Sequence, residues 1–177
     1  MARPRLTGVL LVGGASTRFG SPKALARLDG ETLAARAWRT LGEACDERIA
    51  VGKAADALPL PFPVVDDGAE LRAAIVGVAA GLRLAPTDLC VVLPVDVPHV
   101  TRAVLAQLVA AAQGADVAVP QTGPLPGAYR RAALPVLERC IEKGQLALRD
   151  AVAELGARTV EVDEALLLNV NVPADLR

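Results

Sequence analysis

The sequence predicts an α/β fold, a three-layer α/β/α architecture around a mostly parallel sheet. Three observations carry this. Short apolar runs bounded by Gly, Pro or Asp alternate along the chain with stretches whose apolar residues recur every three or four positions, the pattern of strands alternating with helices. Alternation of this kind implies right-handed crossovers, which place helices on both faces of the sheet. Of the 177 residues, 53% are hydrophobic and only 2% aromatic, so the core is aliphatic and the length suits one domain, 1–177, with a single core.

The elements follow in order. Val9 to Val12 is an apolar strand that stops at Gly13 and Gly14. After a polar loop, Leu28-Asp29-Gly30-Glu31 makes a turn, and Thr32 caps a helix in which Leu33, Ala37, Leu41 and Ala44 share a face beside Trp38. Arg48 to Val51 is the second strand. A proline-rich connector, Leu58 to Pro63, leads to a short third strand, Val64-Val65, ending at Asp66-Asp67. Leu71 to Leu84 reads as a helix containing Gly77 and Gly81. Each glycine there costs about 1 kcal/mol relative to Ala, so close packing or a ligand has to account for them.

Asp88 to Val95 is the clearest buried strand, and it runs into Asp96-Val97-Pro98. Thr101 caps a helix whose Val104, Leu105, Leu108, Val109 and Ala112 share a face. Ala115 to Val119 is a strand and Gln121 to Pro126 a Gly- and Pro-rich loop. Two helices are expected around Leu134, Leu137, Cys140 and Ile141, and around Leu148, Val152 and Leu155. Short strands are expected at Val160 to Val162 and Leu166 to Leu168, before Asn169-Val170-Asn171-Val172-Pro173 and a last helical turn from Ala174 to Arg177.

Composition removes several classes of function. A net charge of -1 with no basic stripe argues against nucleic acid as a partner. No apolar run is long enough to span a bilayer, and the apolar segment after Met1-Ala2-Arg3-Pro4-Arg5 is too short for a signal peptide, so a cytoplasmic location is expected. Cys45, Cys90 and Cys140 have neither zinc-ligand nor redox spacing and read as reduced structural thiols. A single histidine, His99, leaves no room for a multi-histidine metal site and almost none for a Ser-His-Asp triad; it is expected near the site entrance without a catalytic role. Phosphate and carboxylate chemistry remains.

The loop after the first strand points the same way. Glycines allow close approach of backbone N–H groups to an anion, Arg18 offers a planar fork of donors, and Lys23 a mobile point charge, which together suit a polyphosphate. The spacing is neither that of a P-loop nor Gly-x-Gly-x-x-Gly. Both cations are expected to lie in solvent when no ligand is bound. In sheets of this kind ligands bind beyond the carboxyl ends of strands, near a switch point. The Gly-rich loop, Asp67, Asp96 and Asn169/Asn171 all follow strand ends, so four polar clusters are expected to face one crevice. Asp96 ends a strand apolar on both sides, where an unpaired carboxylate is costly. A Mg²⁺ ion would relieve that cost, whereas a plain Asp-x-Pro turn is the alternative reading.

Gly13-Gly14-x-Ser16-x-Arg18-x-Gly20-x-x-Lys23 resembles the signature loop of nucleotidyltransferases with a GT-A-like, Rossmann-like fold, and among them most resembles the molybdenum cofactor guanylyltransferases. Leu93-Pro94-Val95-Asp96-Val97-Pro98 is similar to the family's Cys-Asp-x-Pro segment, and Asn169-Val170-Asn171-Val172-Pro173-Ala174-Asp175-Leu176 to its closing Asn-x-Asn-Thr/Ser-Pro-x-Asp-Leu. The resemblance implies nucleotide binding by Leu11, Val12, Gly13, Gly14, Lys23, Asp67 and Asp96, with Asp66 a one-residue rival to Asp67. It implies catalytic roles for Arg18, Lys23 and Asp96, a metal at Asp96, and metal or phosphate support from Asn169 and Asn171.

Two departures bear on base recognition. Gly52 stands where the family commonly has asparagine, and Ala73-Ala74-Ile75-Val76-Gly77 where it has Gly-Pro-Leu-x-Gly. The segments from Leu125 to Arg130 and from Gly144 to Arg149 are similar to the acceptor-side half of these enzymes. Arg130, Arg131, Lys143 and Arg149 there are open to two readings, acceptor-phosphate contact or solvated surface charge.

What the resemblance implies overall is a Mg²⁺-dependent transfer of GMP from GTP to a molybdenum-bearing molybdopterin, with release of pyrophosphate. The N-terminal part would bind nucleotide and the C-terminal part the acceptor, with contacts to molybdoenzymes or other cofactor-biosynthesis proteins. The alternatives are a cytidylyltransferase acting on molybdopterin or another phosphorylated small molecule, and a non-catalytic nucleotide-binding module that delivers cofactor. Retention of Arg18, Lys23 and Asp96 together favours an enzyme.

Overall fold

The computed structural model describes residues 4–13 and 20–176. Gly14 and Arg18 lie outside the described residues. The architecture is organised by its most apolar strand. All six residues of β1 (Leu6–Leu11) are buried, because parallel neighbours flank it on both sides: β4 (Glu47–Gly52), with Val9 opposite Ile49, and β6 (Leu89–Pro94), with Val9 opposite Val92. A strand covered on both faces and both edges reads as a continuous hydrophobic run, which is why these elements stand out in the sequence. β5 (Val64–Asp66) extends the sheet beyond β4. On the other side come β8 (Gly127–Arg130), β7 (Val117–Pro120) and β9 (Arg158–Val160), giving the order β5-β4-β1-β6-β8-β7-β9.

β8 was not expected from the sequence. It is antiparallel to both β6 and β7, the single reversed strand in an otherwise parallel sheet. A separate two-stranded ribbon, β2 (Arg27–Leu28) with β3 (Glu31–Thr32), closes around the expected turn. Asp29 and Gly30 have φ of 52° and 82°, the positive pair that a type I′ hairpin needs.

Helices cover both faces, as the alternation requires. On one face α1 (Leu33–Ala44) and α3 (Arg102–Ala111) pack Leu33, Leu41, Leu105 and Leu108 against Leu10 and Val91. On the other, α2 (Ala74–Leu84), α4 (Leu134–Glu142) and α5 (Leu148–Glu154) pack Ile75, Leu82, Leu137 and Val152 against Val9, Leu11 and Val92. The side chains of β1 alternate between the two cores, as strand geometry dictates. Thr32 and Thr101 cap α1 and α3 as expected, their hydroxyls accepting from the amides of Ala35 at 3.1 Å and Val104 at 3.4 Å.

Close packing explains the helix glycines. A Cβ on Gly81 would lie 2.5 Å from Val9 Cγ1, and one on Gly77 would lie 3.0 Å from Leu11 Cδ2. At Gly81, therefore, α2 rides on β1 too closely for a Cβ without a shift of Val9, and at Gly77 the contact is tight.

Some boundaries differ from the expectation for identifiable reasons. The helix expected from Leu71 begins at Ala74, because the Leu71 carbonyl accepts from Lys53 instead. The strand expected at Val160 to Val162 is shifted to β9, whose register against β7 pairs Val119 with Thr159. Beyond it the Gln121 side chain takes over, bonding the Val162 carbonyl at 2.6 Å and amide at 3.0 Å. Leu166 to Leu168 is not a strand: Glu164–Leu167 is a 3-10 turn capped by Asp163, with Leu167 buried and Leu168 60% exposed.

Candidate active site

β1, β4, β5 and β6 are parallel, so their carboxyl ends share one edge, and a cavity of about 520 Å³ opens there. Its walls are the ends of β1 (Leu11, Gly13) and β4 (Gly52, Lys53), Asp67 after β5, the start of α2, and Pro94 and Asp96 at the end of β6. The 122–125 loop, Arg149, Leu167 and Asn169 complete it. The cavity straddles the boundary between β1 and β6, where successive connections diverge, the switch point at which such sheets bind ligands. Leu11 and Val12 are fixed by the sheet: the Val12 amide donates to Val51 O at 3.1 Å, and Leu11 O accepts from the Val95 amide at 3.3 Å.

Three predicted residues from distant segments converge on one point. Lys23 Nζ lies 3.5 Å from Asp96 Oδ2 and donates to Asn171 Oδ1 at 3.4 Å. The chain that carries Asn171 is tied to the end of β6, since the Val170 amide donates to Asp96 O at 2.7 Å. Asp175 pins the same turn by accepting from the Asn171 amide at 2.7 Å and the Val172 amide at 3.0 Å. Those two amides hold its carboxyl below the ordinary aspartate range. Asn169 lines the cavity together with Asp96.

Two expectations about these groups are corrected. The Asp96 side chain is 29% exposed and paired with Lys23, not buried and unpaired. Strand burial ends with the strand, and Asp96 lies beyond it. Lys23 is not a solvent-exposed cation: its side chain is 20% exposed and faces Asp96.

The donor set, rather than desolvation, speaks to a metal. Asp96 and Asn171 direct two hard oxygens at a single cation, here the Lys23 ammonium standing in. That chemistry fits Mg²⁺, which takes one or two carboxylates and fills its remaining positions with phosphate oxygens and water. Among the described residues no cluster of three or more His, Cys, Asp or Glu forms a dedicated metal cage.

The opposite wall is built by a residue that the sequence reading missed. Lys53 follows β4, and its ammonium donates to Asp67 Oδ1 at 2.6 Å, to the Leu71 carbonyl at 2.7 Å and to the Ala69 carbonyl. Both side chains of the ion pair are nearly buried, 10% and 8% exposed. Three acceptors use all three ammonium protons, so Lys53 acts as a strut under the 67–71 loop. The signal was its position just past a strand end, where such sheets carry functional groups.

Asp66 and Asp67 separate cleanly. Asp67 lines the cavity, whereas Asp66 accepts from the amides of Ala54 at 2.7 Å and Gly68 at 2.8 Å and shapes the turn. Those bonds hold the Asp66 carboxyl low. Arg72 is locked onto Asp56 by two bonds of 3.0 and 2.6 Å.

The four acceptor-side cations also divide. Arg130 pairs with Asp88 at 2.7 Å, and Arg131 donates to the carbonyls of Ala85 and Thr87, both at the far end of β6. Lys143 is exposed and lines no part of the cavity. Only Arg149 of the four lines it. His99 is exposed and outside the lining. Tyr129, wholly buried under the 122–125 loop, donates its hydroxyl to Pro124 O at 2.5 Å, and burial pushes its phenol pKa up.

Comparison with known proteins agrees with this geometry. A model of the MobA-like NTP transferase domain matches residues 8–160. A "Molybdenum cofactor guanylyltransferase" of Desulfosudis oleivorans is 31% identical over 88% of this chain and 80% of its own length. A "Probable molybdenum cofactor guanylyltransferase" of Rhodopirellula baltica is 33% identical over 99% of this chain and 92% of its own. Among solved structures, molybdopterin-guanine dinucleotide biosynthesis protein A from Archaeoglobus fulgidus superposes with a TM-score of 0.82 at 25% identity, covering 96% of this chain and 94% of that one.

Proposed function

We propose, from the premise that this chain belongs to the MobA-like NTP transferase family and is a nucleotidyltransferase, that it transfers GMP from GTP to a molybdopterin-type acceptor in the cytoplasm and releases pyrophosphate. The observation that carries the proposal is the convergence of Lys23, Asp96 and Asn171 beside a switch-point cavity of about 520 Å³. A non-catalytic binding module has no need of that convergence.

The reaction needs no protein nucleophile. An acceptor phosphate oxygen attacks the α-phosphorus in line, a new P–O bond forms, and the bond to the β-phosphate bridging oxygen breaks, with the electron pair leaving on pyrophosphate. Catalysis is then positioning and charge neutralisation. The β1 end (Leu11, Val12, Gly13, with Gly14) bounds the triphosphate, and the Lys23 ammonium, with Arg18, neutralises charge that develops on the leaving group. Asp67, oriented by Lys53, faces the nucleoside, and Arg149 meets the anionic acceptor. A Mg²⁺ ion held by Asp96 with Asn171 would supply further neutralisation of phosphate charge.

The test is pyrophosphate release with GTP, CTP and ATP, each with and without molybdopterin. Release with GTP that depends on molybdopterin is expected. A clear preference for CTP would move the chain to the cytidylyl reading, and no release with any nucleotide would overturn the assignment as a transferase of this acceptor.

A further inference from the structure

Neutralising the leaving group puts the Lys23 ammonium on a triphosphate, while the structure holds it elsewhere, 3.5 Å from Asp96 Oδ2 and 3.4 Å from Asn171 Oδ1. Those are the two oxygens assigned to the divalent ion. A cation already between them fills the space, and its charge opposes the approach of another cation.

We infer that Lys23 is the resting counter-ion of the Asp96–Asn171 site and keeps divalent metal out until a polyphosphate draws the ammonium away. Metal then loads with the nucleotide or after it, not before. This inference rests on the reading of Asp96 as metal ligand.

The two sides of the site differ in how firmly they are held. The main chain that carries the two oxygens is anchored: the Val170 amide donates to the Asp96 main-chain carbonyl at 2.7 Å, and the Asn171 main-chain amide donates to Asp175 at 2.7 Å. Lys23 hangs on a four-carbon stem and is the movable partner. The exchange swaps one electrostatic partner for another. With the ammonium in place the Asp96 carboxylate is neutralised and Asn171 Oδ1 is occupied; with a triphosphate present, the ammonium finds a stronger anion and both oxygens become available. The pair is 20% and 29% exposed, so solvent screening keeps the effect on the order of tenfold rather than thousandfold.

The experiment is Mn²⁺ binding by calorimetry and electron paramagnetic resonance, without nucleotide, to wild type, Lys23→Met, Lys23→Gln and Lys23→Arg. Each variant is first checked for a wild-type circular dichroism melt. Lys23→Met and Lys23→Gln should bind Mn²⁺ about tenfold more tightly than wild type, while Lys23→Arg, which keeps the charge, should remain weak. Adding Asp96→Asn to Lys23→Met should abolish the gain. Equal affinity in wild type and Lys23→Met, or a gain that survives Asp96→Asn, overturns the inference. The pyrophosphate assay is independent. If no nucleotide turns over but the Mn²⁺ pattern holds, the counter-ion role stands and the reaction assignment fails.

Discussion

Replacing Lys53 by methionine keeps the length of the side chain and removes the ammonium from beneath the 67–71 loop. Three acceptors lose the ammonium together: Asp67 Oδ1, which keeps the Ala69 amide at 3.1 Å, and the carbonyls of Ala69 and Leu71. With Asp67 only 8% exposed, the dominant loss is the counter-ion of a nearly buried carboxylate. Removing one partner of such a pair costs about 3–5 kcal/mol. A buried carbonyl left without a donor costs about 1–3 kcal/mol. The loop lies at the surface, and water can reach it once the strut is gone, so the expected total is near the low end, about 3 kcal/mol. In a domain of this size that lowers the melting temperature by roughly 6–12 °C.

Thermal and urea unfolding of Lys53→Met, Asp67→Asn and the double variant measure it. The double variant should recover at least about 1 kcal/mol relative to Lys53→Met, because its amide carries no charge to strand. The wall of the cavity loosens while the Lys23–Asp96 side does not, so the KM for nucleotide should rise more than kcat falls. A Lys53→Met protein that melts within about 2 °C of wild type would refute the strut, and with it the claim that Asp67 is held for a ligand.

Gly81→Ala should destabilise by about 1–2 kcal/mol in urea titration: its Cβ would fall 2.5 Å from Cγ1 of the fully buried Val9, and overpacking of about 1–3 kcal/mol outweighs the gain of about 1 kcal/mol in helix propensity. The Arg72 guanidinium holds the Asp56 carboxyl below its usual 3.8, so this bridge stabilises above about pH 4 and is lost as pH falls through the lowered value; melts from pH 7 to 3 should show a shallower acid limb for Asp56→Asn than for wild type. Burial pushes the Cys90 thiol up to about 12, so disulfide reagents at pH 8 should label Cys90 only as fast as the chain unfolds, and faster labelling would contradict its place in the core.

What the sequence disclosed and what it hid follow from how local each signal is. β1 and β6 were legible because strands covered on both faces are apolar without interruption. β8 was not: Gly127-Ala128-Tyr129-Arg130 has no periodicity of its own, and only its pairing with Cys90 and Ala118 on neighbouring strands makes it a strand. Leu166 to Leu168 failed in the opposite sense, being apolar enough for a strand yet folded into the end of a 3-10 turn that pairs with no strand among the described residues. In the site, the strand-end rule singled out Asp96 just past β6, the cations of the loop after β1 singled out Lys23, and the closing Asn-x-Asn motif singled out Asn171, which follows a 3-10 turn rather than the expected strand. Lys53 obeys the same rule but was overlooked, since a lysine after a strand reads as solvated charge. Its partners, Ala69 and Leu71, lie 16 and 18 residues further on. The burial argument that singled out Asp96 was partly mistaken, as its carboxylate is only part-buried and already paired.

Gly52 allows the sharpest test of how this chain departs from the family it resembles. The asparagine common at that position cannot simply be restored. A Cβ on Gly52 would lie 2.8 Å from Val12 Cγ2 and 3.3 Å from Val64 Cγ1. Val12 is 5% exposed and packed into the core beneath α1, and its β-branched side chain has little rotameric freedom with which to yield. Gly52→Asn alone should therefore destabilise by about 1–3 kcal/mol through overpacking, and it should weaken GTP binding, because the displaced Val12 adjoins Gly13 at the cavity floor. Val12→Ala removes the opposing methyl at its own cost in burial. On that background Gly52→Asn should be at least about 1 kcal/mol less damaging than in wild type, a coupling that a double-mutant cycle reads directly from urea midpoints. If Gly52→Asn alone melts like wild type and binds GTP more tightly, crowding by Val12 is not what keeps glycine at this position. The base-facing wall would then be a specificity element awaiting its asparagine, rather than one built from backbone.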